Sequence, residues 1–129
     1  MGARLRYAKV IDRELFFVKG GRVHPGLHNE VLLNEEPGVA AAFLVLRGYA
    51  NDKGSVTERW VIEGPGGLRM YQSSEREIHL PTKAHEERLE DEVADLKIDV
   101  ASDDYNVVFY LDERQVARVA FEVKLNSKG

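Results

Sequence analysis

Hydrophobic and polar positions alternate most regularly between Tyr105 and Leu125. Tyr105, Val107, Phe109 and Leu111 share one side of a first strand, and Ala117, Val119, Phe121, Val123 and Leu125 share one side of a second. Asp112-Glu113-Arg114-Gln115 supplies a polar turn between them. This period of two predicts a hairpin with one face on a core. A lone hairpin is marginal in water, so the preceding residues must supply a second layer.

They carry the same kind of pattern. Leu5 and Tyr7 alternate with Arg4 and Arg6 in an opening strand, and Glu14 to Lys19 reads as a second, with Phe16 and Phe17 on opposite faces. Gly20-Gly21 turns the chain, and Arg22 to His24 returns briefly before Pro25-Gly26. Val39 to Tyr49 is apolar on both faces, the mark of a strand that is central in its sheet or covered on both sides. Val56 to Glu63 and Leu68 to Gln72 make another hairpin around Gly64-Pro65-Gly66-Gly67, with Val56, Trp60 and Ile62 on one face. Ile78 and Leu80 mark one more strand. Residues 84–92 read as a helical turn or irregular crossing that enters strand at about residue 93.

Short strands joined by turns every eight to twelve residues predict an all-β fold, an antiparallel β-sandwich of immunoglobulin-like or C2-like type. It has seven to nine strands and at most one short helix. Residues 1–125 form one domain, and 126–129 form a tail. Tyr105 opens the penultimate strand after the acidic turn Ser102-Asp103-Asp104, where such sandwiches place a tyrosine whose hydroxyl bonds the backbone upstream.

The chain resembles small uncharacterised bacterial proteins expected to be single immunoglobulin- or C2-like sandwiches. The resemblance lies in AKVIDRELFFVKGGRV, VTERWVIEGPGGLRM and DDYNVVFYLDERQVARVAFEV, under half of the sequence. Where those proteins have Gly before the tyrosine and in the last hairpin, this chain has Asp103 and Glu113-Arg114. The resemblance implies the fold and assigns no activity.

With 129 residues the chain can bury a core without staples, and with no Cys it has neither disulfide nor thiolate chemistry. The opening residues hold no uninterrupted apolar run, and no stretch reaches membrane-spanning length, so we expect a cytoplasmic protein without membrane contact. Net charge is −4, unevenly spread: residues 83–104 hold nine acids against three bases. An acidic face of this kind selects a basic partner or pairs unlike faces of two copies. No dense basic stripe is present, so nucleic acid is not expected as a partner.

Candidate chemistry is sparse. His24 and His28, with His85 as a third ligand, are the metal candidates, but Pro25-Gly26 breaks any helix that would align the first two, and no cofactor is expected. The acidic turns Asp103-Asp104 and Asp112-Glu113 fall at different ends of the fold, which divides any calcium ligands between them. Serines lack the G-x-S-x-G context of a nucleophile. Trp60, Tyr71 and Tyr110 are candidates for a stacking surface.

Val108, Tyr110 and Val116 point away from the core in the last hairpin, with Arg118 beside them. They predict an exposed strip covered by residues 84–92 or by another chain. We therefore expect a non-enzymatic intracellular module that works through protein contacts, with a protein partner or a homodimer on that strip. The alternative is a sandwich that binds a small ligand or carbohydrate, and less favoured is a metal-dependent hydrolase.

Overall fold

The computed structural model describes residues 3–18, 20–21, 28–50 and 53–125. Eleven strands lie among them: β1 (Arg4–Asp12), β2 (Glu30–Leu33), β3 (Gly38–Val39), β4 (Phe43–Ala50), β5 (Gly54–Glu63), β6 (Arg69–Gln72), β7 (Arg76–Leu80), β8 (Glu87–Val93), β9 (Lys97–Ile98), β10 (Ser102–Leu111) and β11 (Arg114–Leu125). A short helix, α1 (Arg13–Val18), follows β1, and a 3-10 turn spans Pro65–Gly67. The fold is all-β. Among the described residues no helix is long and apolar enough to cross a membrane.

A small sheet runs β1-β4-β8 and a larger one β2-β11-β10-β5-β6, with β7 also on β5; β3 and β9 pair by themselves. The two larger sheets bury one shared core. The small sheet gives Val10, Phe43, Val45 and Val93, and the large sheet gives Val31, Trp60, Ile62, Val107, Phe109, Phe121 and Val123. Pairing is antiparallel among the described strands except at β2, which runs parallel to β11 over Glu30–Leu33 and Glu122–Leu125. The outer side of β11 is therefore paired along its C-terminal part.

Two sequence expectations change here. Glu14–Lys19 is not a strand: residues 13–18 are helical. Asp12 Oδ2 accepts from the Leu15 backbone N–H at 3.0 Å, an N-cap, and Gly20 and Gly21, both at positive φ, close the end by bonding Phe17 and Phe16 carbonyls. The aromatic pair still divides, with Phe16 buried and Phe17 52% exposed. Likewise residues 87–93 are strand β8, paired along β4 from Tyr49↔Glu87 to Phe43↔Val93. Their helical spacing of Leu89, Val93 and Leu96 spans a strand and the turn after it.

Strand β4 is buried at every position, as its two apolar faces require. Its inner face meets the core. Its outer face, Leu44 and Leu46, lies under Phe16 of α1 together with Ile11 and Tyr7. Gly48 leaves room for the Tyr7 ring, which a Cβ there would strike. The β1 register shifts between Leu5 and Tyr7, so the two do not share a face: Leu5 packs on the core and Tyr7 on the outer cluster.

The last hairpin closes more tightly than its four polar residues imply. Leu111 pairs Arg114, so Asp112 and Glu113 alone turn the chain, both at positive φ. Such a turn favours Asn-Gly. Here Asp112 exchanges two bonds with Thr57, at 2.8 and 2.9 Å, and Glu113 pairs with Arg59 at 2.8 Å, which anchors the strained residues to β5. The Tyr105 hydroxyl donates to the Val100 carbonyl at 2.6 Å, the corner expected from its position.

Candidate interaction surface

The strip expected on the last hairpin does not form. Val108 is fully buried, although its side chain faces away from the core, and Val61 beside it on β5 is buried too. Residues 87–93 belong to the other sheet, as β8, and do not lie over them. Polar side chains flank them: Arg118 reaches Glu63 at 2.8 Å, and the Arg59 guanidinium lies 4.0 Å from the centre of the Tyr110 ring while pairing with Glu113. Tyr110 is half-buried under that cation. Val116 is half-buried and packs against the core. Sequence alternation places a side chain on a face. It does not show how far long neighbours lie over it.

The other sites also separate. His24 lies outside the described residues. His28 is exposed, and His85 pairs with Glu87 at 2.8 Å. Among the described residues no group of three His, Asp or Glu is placed to hold a metal. Trp60 and Tyr71 stack with ring centres 5.4 Å apart on the inner face, whereas Tyr110 stands on the outer one, so the three share no surface.

The outer face of β1-β4-β8 differs. Helix α1 seats Phe16 on the sheet but leaves Leu15 38%, Phe17 52% and Val18 78% exposed. Beside it an open groove of about 600 Å³ runs across the sheet, lined by Tyr7, Phe16, Leu46, Lys9, Arg88 and Glu90. Phe16, Leu46 and Leu89 give it apolar walls, and both charges line it as well, with Arg88 paired to Glu86 at 2.9 Å. Contiguous apolar exposure with a polar rim is the physical description of a docking surface. The sequence signal was the run Leu15-Phe16-Phe17-Val18 between an N-cap and a glycine pair, because one helical face cannot bury four consecutive apolar residues.

A second feature was missed altogether. Arg47 of β4 and Glu58 of β5 are both fully buried and form a two-pronged pair across the sandwich, at 2.8 and 2.6 Å. The Tyr49 hydroxyl donates to Glu58 at 2.6 Å. Arg47 also reaches Asp91 of β8 at 2.9 Å and the Val45 carbonyl at 3.2 Å. Asp91 in turn accepts from the Trp60 indole at 3.1 Å and from Arg76 at 2.9 Å.

Burial works against the Arg47 charge, but the Glu58 hydrogen bond and the Glu58 and Asp91 charges outweigh it and hold the guanidinium above its ordinary range. Burial, reinforced by the Glu58 charge, pushes the Tyr49 phenol far up, so it stays a donor. Burial alone would raise Asp91, yet Arg47, the indole and Arg76 hold it below its ordinary value. Among the described residues no buried side-chain nitrogen or oxygen lacks a partner. The cluster satisfies its own polar atoms and meets solvent at Asp91 and Arg76.

No protein-family profile and no curated protein matches the sequence. Among solved structures 17 chains match. One is the Pseudomonas fluorescens alkylpurine DNA glycosylase AlkC bound to DNA containing an abasic site analog, with a TM-score of 0.56 at 11% identity. The match covers 95% of this chain and 30% of that one, so this chain spans under a third of the length of the protein it matches. At that identity the likeness is one of fold. It overturns the expectation, drawn from the lack of a dense basic stripe in an acidic chain, that nucleic acid is no partner. Net charge averages the whole surface, whereas phosphate contact depends on a few local cations.

Proposed function

We propose that this chain is a non-enzymatic, intracellular sandwich module of immunoglobulin-like type that acts by holding a protein partner on the outer face of β1-β4-β8. One observation carries the reading: α1 spends only Phe16 on its own sheet and presents Leu15, Phe17 and Val18 beside an apolar-walled groove. The Tyr105 corner supports the immunoglobulin-like type. The Arg47 cluster supports a structural rather than catalytic use of the buried charges, since its polar atoms are bonded to one another.

A photo-crosslinking residue at position 17, expressed in the source cells, should yield a discrete adduct that Val18→Asp abolishes. The same residue at Leu68, which is 65% exposed elsewhere, should yield none. Identical patterns from the two positions would sink the proposal.

A second reading, contact with DNA, is supported by the DNA-bound structure that this fold matches. Arg4 and Arg6, exposed on edge strand β1, are the cations placed for it. Anisotropy of a labelled duplex should then report binding that weakens steeply with added salt and is lost in Arg4→Glu/Arg6→Glu. Salt-independent binding, or none, would remove it.

A further inference from the structure

Strands β6 and β7 lie along the same edge of β5, with Val61↔Gln72 in one ladder and Glu58↔Arg76 in the other, so they form one edge strand broken at Ser73-Ser74-Glu75. The break is built in. The Ser73 backbone N–H donates to the Trp60 carbonyl at 2.8 Å, and Ser73 Oγ accepts from the Trp60 N–H at 2.9 Å, in place of the lost ladder. Interruptions of this kind re-aim side chains at edges and beside sites. A cleft of about 170 Å³ opens there between the edges of the two sheets, lined by Trp60, Tyr71, Ser74, Arg76, Asp91 and Glu92.

Its groups are held before any ligand arrives. Tyr71 is stacked on Trp60, and three donors, from Arg47, Trp60 and Arg76, fix the Asp91 carboxylate. The lining also selects by charge. An anion would face Glu75, Asp91 and Glu92. A cation would have to compete with Arg76 at Asp91, with Arg13 at Glu92 and with Arg59 beside Glu75. A neutral ring bearing hydroxyls meets neither obstacle: it accepts from the Arg76 guanidinium, donates to the carboxylates and rests on the Tyr71 face. The volume is below the roughly 300–1,000 Å³ of drug-sized pockets, and so suits a single ring.

We propose that this cleft binds one neutral sugar residue, independently of the partner surface on the outer face. Trp60 is the chain's single Trp and lines the cleft, so its fluorescence and its indole N–H resonance report there. The probes are the methyl glycosides of glucose, galactose, mannose and N-acetylglucosamine, each carried to about 100-fold above a millimolar Kd. At least one should shift both signals saturably. Arg76→Ala should abolish that shift, and the side chain is 43% exposed, which suits it to truncation. Tyr71→Leu is the second variant if Arg76→Ala unfolds. The proposal falls if none of the four glycosides gives a saturable shift, if the variants respond as wild type does, or if acetate or N-acetylargininamide gives the shift at lower concentration than any glycoside.

Discussion

Phe43 and Val45 of β4 meet Phe121, Val107 and Val123 in a wholly apolar half of the core, while Arg47 and Tyr49, on the same face of the same strand, meet Glu58 and Asp91. Arg47, Tyr49 and Glu58 are as sealed from water as the apolar half, with Asp91 23% exposed at their margin, yet the two halves hold the sheets together by different physics. The apolar half is additive and non-directional, so its strength follows area and fit. The ionic half is conditional: a buried pair is stabilising only while each member keeps the other, and its worth lies in the single register it permits. Arg47 can face Glu58 and Asp91 at once only when β4, β5 and β8 sit in their observed order.

The largest effects should come from breaking each half. Arg47→Met leaves Glu58 buried without its cation and should cost about 3–5 kcal/mol in urea denaturation. Phe43→Ala should cost a similar amount, about 3–5 kcal/mol, by leaving a cavity. The comparison lies in the rescue. Adding Glu58→Leu to Arg47→Met should recover part of the loss, because the buried carboxylate is then gone, the remaining cost being the Tyr49 hydroxyl left without its acceptor. Additive losses in that double variant would mean that the cluster does not behave as a coupled pair.

The tyrosine corner belongs to the apolar half but holds one polar bond. Tyr105→Phe leaves the Val100 carbonyl without its partner and should cost about 1 kcal/mol or somewhat more. The Tyr105 ring still packs on Phe121, 5.7 Å between centres, so the fold survives. An unchanged denaturation midpoint would reduce the residue to an ordinary core ring.

Acid should separate the halves further. The Asp91 carboxyl is held below its ordinary value of 3.8, burial being outweighed by Arg47, Trp60 and Arg76. The unfolded chain therefore takes up that proton first as pH falls. Stability from this group is complete above that ordinary value and drains away as pH drops towards the folded one. Urea midpoints taken from neutral pH down to strongly acid conditions should show the decline, and Asp91→Asn should flatten it. An equal slope in both proteins would place the acid sensitivity elsewhere.

These contrasts also explain what could be read from the sequence. Tyr105 was legible because its role is local, a bond to a carbonyl five residues upstream, although Ser102–Asp104, read as a turn, already belong to β10. The strands β5, β6, β7, β10 and β11 were legible because alternation is local too. Arg47 and Glu58 were not, since each stands in a strand at a position alternation assigns to the inside, and nothing local shows that the partner of one is eleven residues away across the sandwich. Helix α1 was misread because Phe16-Phe17 pulled towards strand, although Asp12 and Gly20-Gly21 carried the signals that start and stop a helix.

The smallest expected effect concerns the outer face of the large sheet. Val61 and Val108 are buried there, flanked among the described residues by the Arg118–Glu63 pair and by Arg59 over Tyr110. The Arg118 side chain is 45% exposed, so water screens the pair heavily, and pairs of this kind contribute about 0–1 kcal/mol. Arg118→Ala should therefore shift the denaturation midpoint by less than the Tyr105→Phe change. Its consequence is solubility rather than stability, because an uncovered valine pair on a flat sheet face attracts another apolar surface. Arg59→Ala/Arg118→Ala should then sediment as a larger species at micromolar concentration, while Phe17→Asp, on helix α1 over the other sheet, should not. If the double variant sediments as wild type does, the valines are sealed by the sheet itself, and the arginines above them are ordinary surface.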